Sequence, residues 1–122
     1  MPSQRFSIRM RIRSFSYAIA GFRRFIHREH NARIHLAGTT AVIFAAFFLH
    51  VSRAEAVSLT VVTALVWITE MLNTCVEKIC DLITLEEHPE IKFIKDLGAG
   101  AVLVAALAAV ITGLFIFIPK IV

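Results

Sequence analysis

Cysteine is scarce in this 122-residue chain, and its two copies, Cys75 and Cys80, cannot bond to each other. Five residues of α-helix turn the chain through about 500°, so the two thiols leave on different sides. Neither they nor the five histidines carry the spacing of a structural zinc site, and the cysteines read as small packing residues. No G-x-x-x-x-G-K-[ST] loop and no kinase-type glycine loop is present, which excludes the glycine-rich phosphate cradles of soluble nucleotide-binding folds. A secretory signal is not expected. The arginine-rich start is too long and lacks a short apolar core followed by a small-residue cleavage site. Acids are nearly missing from the first third. Eight arginines (Arg5, Arg9, Arg11, Arg13, Arg23, Arg24, Arg28, Arg33) face one acid, Glu29, before the first long apolar run. The net charge of +4 raises the question of nucleic acid. Aromatic residues between those arginines suit a membrane surface better than a base-stacking platform, so no nucleic-acid partner is expected. The basic segment belongs against anionic headgroups, with the N-terminus in the cytoplasm.

What the chain does have is apolar surface. Hydrophobic residues make up 57% of it, and the mean hydropathy is +0.73. Those values place it in the membrane class, as a single domain. A small multi-pass protein has little interior of its own, so an oligomer is expected. Between Ile8 and Arg28, apolar residues (Ile8, Ile12, Phe15, Ile19, Phe22, Ile26) recur at three- and four-residue steps among arginines, which predicts an amphipathic helix lying in the interface. Three transmembrane helices follow, over 34–52, 56–82 and 91–118, the second longer than a bilayer. Ser52-Arg53-Ala54-Glu55 is the outer turn. Pro89 separates the last two helices, and Pro119-Lys120 closes the third. Ala101, Ala105, Ala109 and Gly113, every fourth residue, form a small-residue stripe for close helix packing. The fold class is therefore all-α membrane protein, a surface helix plus three transmembrane helices.

The stretch Ala64–Asp81 organises the rest. It begins as lipid-compatible sequence and then sets Glu70, Asn73, Glu77 and Asp81 at steps of three, four and four, one face of a helix. Ionisable groups at the edge of a membrane segment are functional candidates; the plain alternative is a helix that has reached water. Given the three spans, Glu29, the lower ladder and Lys95-Asp96 meet at the cytoplasmic interface. Paired acid oxygens suit Mg²⁺ with substrate phosphates, Lys95 can offset phosphate charge, and a carboxylate in a partly apolar setting can take a proton from a hydroxyl. From the residues alone this is a membrane site handling a polyanion with a metal. A cation pathway or a proton-coupled carrier would also use intramembrane acids.

The residues Glu70-Met-Leu-Asn73-Thr-Cys-Val-Glu77-Lys-Ile-Cys-Asp81 resemble the E-x-x-N-[ST]-x-x-E-x-x-x-D signature of the small bacterial membrane kinases of the diacylglycerol kinase/undecaprenol kinase family. Lys95-Asp96-Leu-Gly-Ala-Gly-Ala-Val is similar to the family's second motif. Ser14-Phe15-x-Tyr17-Ala18-x-x-Gly21, Glu29-x-Asn31-x-Arg33-Ile34-His35 and His88-Pro89 agree as well, so the likeness runs from Ser14 to Val122. The resemblance implies direct transfer of the ATP γ-phosphate to a lipid alcohol, with Mg²⁺, in a homotrimer with shared sites in the bacterial inner membrane. It further implies that Glu70 is the catalytic base and that Glu29 and Glu77 hold the metal. Asn73, Glu77, Lys95 and Asp96 would position nucleotide and phosphates, with Asp81 and His88 near the nucleotide.

The segment ending at His35, His88-Pro89 and the ending Gly113-Leu-Phe-Ile-Phe-Ile-Pro119-Lys120 resemble the undecaprenol kinase branch; the diacylglycerol kinase branch carries an acid at the position of His35. Undecaprenol is therefore the expected substrate and diacylglycerol the alternative. A basic residue that the family places in the surface helix falls at Met10, and its role stays unassigned between Arg9 and Arg11. Against an enzyme stand two other readings, a channel or carrier and a family member without activity.

Overall fold

The computed structural model describes residues 5–122; the polar composition of residues 1–7 predicts a loose start, and 1–4 of these lie outside the described residues. The described residues form four helices and no strand: α1 (Ile8–Arg28), α2 (His30–Phe48), α3 (Arg53–Ile83) and α4 (Pro89–Ile121). Helix α1 begins where the Ser7 hydroxyl accepts the Met10 N–H and ends at the extended residue Glu29. None of its residues is fully buried, and within one chain its apolar stripe is uncovered from Ile8 to Ile19. Glu29 alone separates α1 from α2, and as the residue preceding α2 it makes no side-chain cap, which leaves its carboxylate available elsewhere.

Helix α2 ends in a left-handed turn. His50 has φ 52°, and the Val51 N–H reaches back to the Ala46 carbonyl at 3.3 Å, the six-to-one bond of a Schellman ending. Helix α3 then opens on a capping box. The Ser52 hydroxyl accepts from the Glu55 N–H at 3.1 Å, and the Glu55 carboxylate accepts from the Ser52 N–H at 2.8 Å. Helix α4 starts with Pro89 in its first turn, behind His88, whose Nδ1 accepts the Glu90 N–H. Pro119 does not close α4, as the sequence reading had it. The helix runs through it to Ile121, because one missing N–H near a terminus breaks a single bond and the Val122 N–H still closes on Ile118.

With 31 residues α3 is about 46 Å long, against about 30 Å for a bilayer core. Helices α3 and α4 are long and apolar enough to cross a membrane. Helix α2, expected as a third span, is shorter, and its first two turns carry His30, Asn31, Arg33 and His35.

The core is a seam between α3 and α4, which run antiparallel. On α3 the inward positions are Leu59, Thr63, Val66, Glu70, Asn73, Glu77 and Cys80; on α4 they are Ile91, Lys95, Gly98, Val102, Ala105, Ala109, Thr112 and Ile116, all buried or half-buried. Steps alternating between three and four average 3.5 residues, the repeat that keeps two helices in register along a left-handed crossing. At the end far from the 84–88 loop, Lys120 pairs with Glu55 at 3.1 Å and ties the two helices together.

That repeat corrects two expectations. A stripe at every fourth residue turns by about 40° per step, so it drifts off a 3.5-residue seam. Ala105 and Ala109 lie in the seam while Ala101 is exposed. The same drift separates the cysteines' roles: Cys80 is buried in the seam and Cys75 is exposed.

Candidate functional site

Three of the four ladder residues interrupt the apolar seam. Glu70 is 4% exposed and Asn73 8%, and they are the buried polar residues of the described chain. Glu77 follows half-buried. Asp81 does not join them. After Glu77 the seam steps by three to Cys80, and the ladder's second step of four carries Asp81 onto the exposed side, where Lys95 reaches it at 2.7 Å. Lys95 is itself a seam position of α4, so this pair ties the loop end of the hairpin as Glu55–Lys120 ties the other.

Asn73 is held from two sides. Its Nδ2 donates to Glu77 Oε1 at 3.3 Å. Its Oδ1 is buried with no partner and lies directly against Gly98 of α4. A Cβ at position 98 would collide with that oxygen, so the glycine is what allows the amide this close to the α4 backbone. A buried carbonyl oxygen without a donor costs about 1–3 kcal/mol, and amide and carboxylate oxygens are both ligands for a hard cation. The donor set therefore fits Mg²⁺ at Asn73 and Glu77. Glu29 is paired with Lys78, the residue after Glu77: its carboxylate is 3.3 Å from Lys78 Nζ. Among the described residues no three His, Cys, Asp or Glu side chains gather closely enough to hold an ion by themselves.

Glu70 faces the other way, toward α2. Its Oε2 is 3.3 Å from His35 Nε2. His35 lies on the inward face of α2, with Ala32, Thr39, Val42, Ala46 and Leu49, again at steps of three and four. One turn away, Trp67 donates its indole N–H to Thr39 Oγ1 at 2.8 Å and has Phe22 and Phe25 of α1 within 6.3 Å, centroid to centroid. This aromatic knot is where α1, α2 and α3 meet. From it an apolar groove of about 700 Å³ runs away between α2 and α3, lined by Val42, Ala46, Phe47, Leu59 and Ile68. Glu70 is one turn beyond the groove's Trp67 end.

A second hollow of similar size lies under the 84–88 loop and is mixed in polarity, with Glu86, Glu87, His88, Lys92, Lys95 and Asp96 on its walls. His88 caps α4 here, and Asp96 pairs with Lys92 one turn back. Of the expected site residues, Glu70, Asn73 and Glu77 share the seam and Asp81 pairs with Lys95. Glu29, His88 and Asp96 are held by other partners. Sequence reasoning noted His35 only as a branch difference and gave Gly98 and Lys78 no role. The signal for His35 was available: it is the ionisable residue at an inward position of α2, opposite a buried acid that needs a partner.

The family model for prokaryotic diacylglycerol kinase matches residues 16–117, which takes in the groove, the seam and both motifs. The chain belongs to the prokaryotic diacylglycerol kinase family. It is 42% identical over 107 residues to a diacylglycerol kinase of Synechocystis sp., a match covering 87% of this chain and 61% of that protein. The chain thus spans about three fifths of that relative's length. It is 37% identical over 108 residues to the undecaprenol kinase of Bacillus subtilis, 88% of each chain. With a diacylglycerol kinase of Pseudomonas aeruginosa it shares 35% identity over 96 residues, 79% of this chain and 78% of that one.

Proposed function

We propose that this protein is a lipid kinase that transfers the γ-phosphate of ATP directly to a membrane lipid alcohol, undecaprenol by preference. The observation that carries the reading is Glu70, a carboxylate buried in the seam at the polar end of an apolar groove. A lipid chain in the α2–α3 groove brings its terminal hydroxyl to that carboxylate, and no phosphoenzyme is needed. Glu70 takes the hydroxyl proton as the oxygen attacks, a contribution of about 10²–10⁴-fold for a positioned base. The nucleotide belongs in the hollow under the 84–88 loop, where Lys95 offsets phosphate charge and Asp81, His88 and Asp96 line the approach. Glu29 and Glu77 would hold Mg²⁺, with the Asn73 amide bonded to Glu77; when bound, the ion would neutralise charge on the donor phosphates.

The whole chain acts as one kinase domain in the bacterial inner membrane, with α1 (8–28) on the cytoplasmic surface and spans over 34–52, 56–82 and 91–118. A homotrimer with shared sites accounts for the apolar faces that one chain leaves exposed, Phe44, Phe47, Leu103 and Phe115 among them. Undecaprenol is preferred because the Bacillus subtilis undecaprenol kinase aligns over 88% of both chains and because His35, His88-Pro89 and the ending Gly113–Lys120 of this sequence resemble the undecaprenol kinase branch. The higher identity to the Synechocystis diacylglycerol kinase favours diacylglycerol as the second reading.

The test is phosphate transfer from labelled ATP in mixed micelles, with undecaprenol and diacylglycerol offered singly and in competition. Preferential labelling of undecaprenol is expected. Preference for diacylglycerol overturns the choice of lipid, and labelling of neither overturns the kinase reading.

A further inference from the structure

We propose that His35 positions Glu70 and carries the proton that Glu70 removes on to water. The inference rests on the reading of Glu70 as the base and deepens it. A base whose side chain is 6% exposed faces a difficulty after each turnover, because the proton it has taken must leave before it can act again. Among the described residues the hydrogen-bond partner of the Glu70 carboxylate is His35, at 3.3 Å, and the imidazole side chain is 22% exposed. His35 stands one residue into the 34–52 span, at its cytoplasmic end, so the acid is joined to the aqueous interface through a side chain able to accept a proton and release it again. The ring is also well placed to stay where it is. Trp67 lies beside it, 6.3 Å between centroids, and is itself fixed by its bond to Thr39 on the same face of α2. The neighbours of the pair on α3 and α4 are Asn73, Val66 and seam positions without charge, so no second ionisable group competes for this proton within the seam until Glu77.

The balance is complete. The acceptor's O–H bond breaks as its oxygen bonds to the γ-phosphorus. The bond from that phosphorus to the bridging oxygen breaks, and its electron pair leaves with the diphosphate. The proton goes to Glu70, and the carboxyl turns to present it to Nε2 of the neutral imidazole. Nε2 accepts in the Nδ1–H tautomer; the imidazolium then gives its Nδ1 proton to water, which leaves an Nε2–H donating to the regenerated carboxylate, and proton exchange with water returns the ring to the Nδ1–H tautomer before the next transfer.

The test uses the full-length protein in mixed micelles. His35→Gln can still hydrogen-bond to the carboxylate but cannot relay, so kcat should fall by about 10²-fold with KM for ATP and lipid unchanged. His35→Ala should fall similarly and recover on addition of imidazole, saturably. The less basic 1,2,4-triazole should not restore it, and His35→Ala combined with Glu70→Gln should gain nothing from either. Size-exclusion chromatography checks that each variant assembles as the unaltered protein does; if His35→Ala does not, His35→Gln decides alone. A His35→Gln enzyme with unchanged kcat overturns the relay, as does failure of imidazole to rescue an assembled His35→Ala. Either result leaves the kinase reading standing if the unaltered protein still labels lipid, whereas absence of all transfer overturns both.

Discussion

Adding one methyl group at Gly98 tests the seam and the site together. The Cβ of Gly98→Ala would overlap Asn73 Oδ1 and lie 3.3 Å from its Cγ. The α4 backbone cannot retreat without separating neighbours such as Ala105, so the amide must turn away. Turning takes Nδ2 off Glu77 Oε1 and moves the buried, unpartnered Oδ1 out of its place. The stability cost is that of a lost buried hydrogen bond plus mild overpacking, about 1–2 kcal/mol. The cost in activity is larger, because a displacement of about 1 Å in a positioning group lowers turnover on the order of 10²-fold. Thermal midpoints in detergent and phosphate transfer would be measured for Gly98→Ala, Asn73→Ala and the double variant. With the Asn73 side chain already gone, the methyl group should cost less than about 0.5 kcal/mol, leaving a clear coupling energy in the cycle. Wild-type stability and turnover in Gly98→Ala, or additive costs in the double variant, would show that the close approach does not constrain Asn73.

Other expectations follow from single contacts. Glu77→Gln should raise the Mg²⁺ concentration needed for half-maximal transfer and be partly rescued by excess Mg²⁺; an unaltered Mg²⁺ titration would remove Glu77 from the metal site. His50→Gly should stabilise the chain by about 1 kcal/mol, because the left-handed φ strains a residue with a Cβ, and a thermal midpoint that falls instead would show the imidazole holding the turn. Trp67→Phe keeps the ring cluster but loses the bond to Thr39, so about 1 kcal/mol of stability should go; an equal loss in a Thr39→Val background would contradict that pairing.

Much of this architecture is legible in the sequence because it rests on periodicity. The arginine-laced helix runs from Ile8 to Arg28, and α4 opens at Pro89, two residues before the span expected over 91–118. What the sequence does not show is phase. Glu70, Asn73, Glu77 and Asp81 look equivalent at steps of three and four, yet only a 3.5-residue seam decides that Asp81 is turned out and Cys80 turned in. That seam exists only once α4 is laid against α3. The role of Gly98 likewise depends on which residue faces it across the hairpin, a fact with no local signature. Pro119 misleads for a related reason: proline marks a helix end by local rule, and near the terminus the remaining bonds of α4 carry the helix past it.

The central claim is that Glu70 is the base. The direct measurement is a single-turnover transfer of labelled phosphate to lipid by Glu70→Gln, beside the unaltered protein and with the assembly of both checked by size-exclusion chromatography. The account predicts an assembled variant that binds ATP and transfers no phosphate above background. Transfer at the wild-type rate by that variant would contradict it and send the search for the proton acceptor elsewhere along the seam.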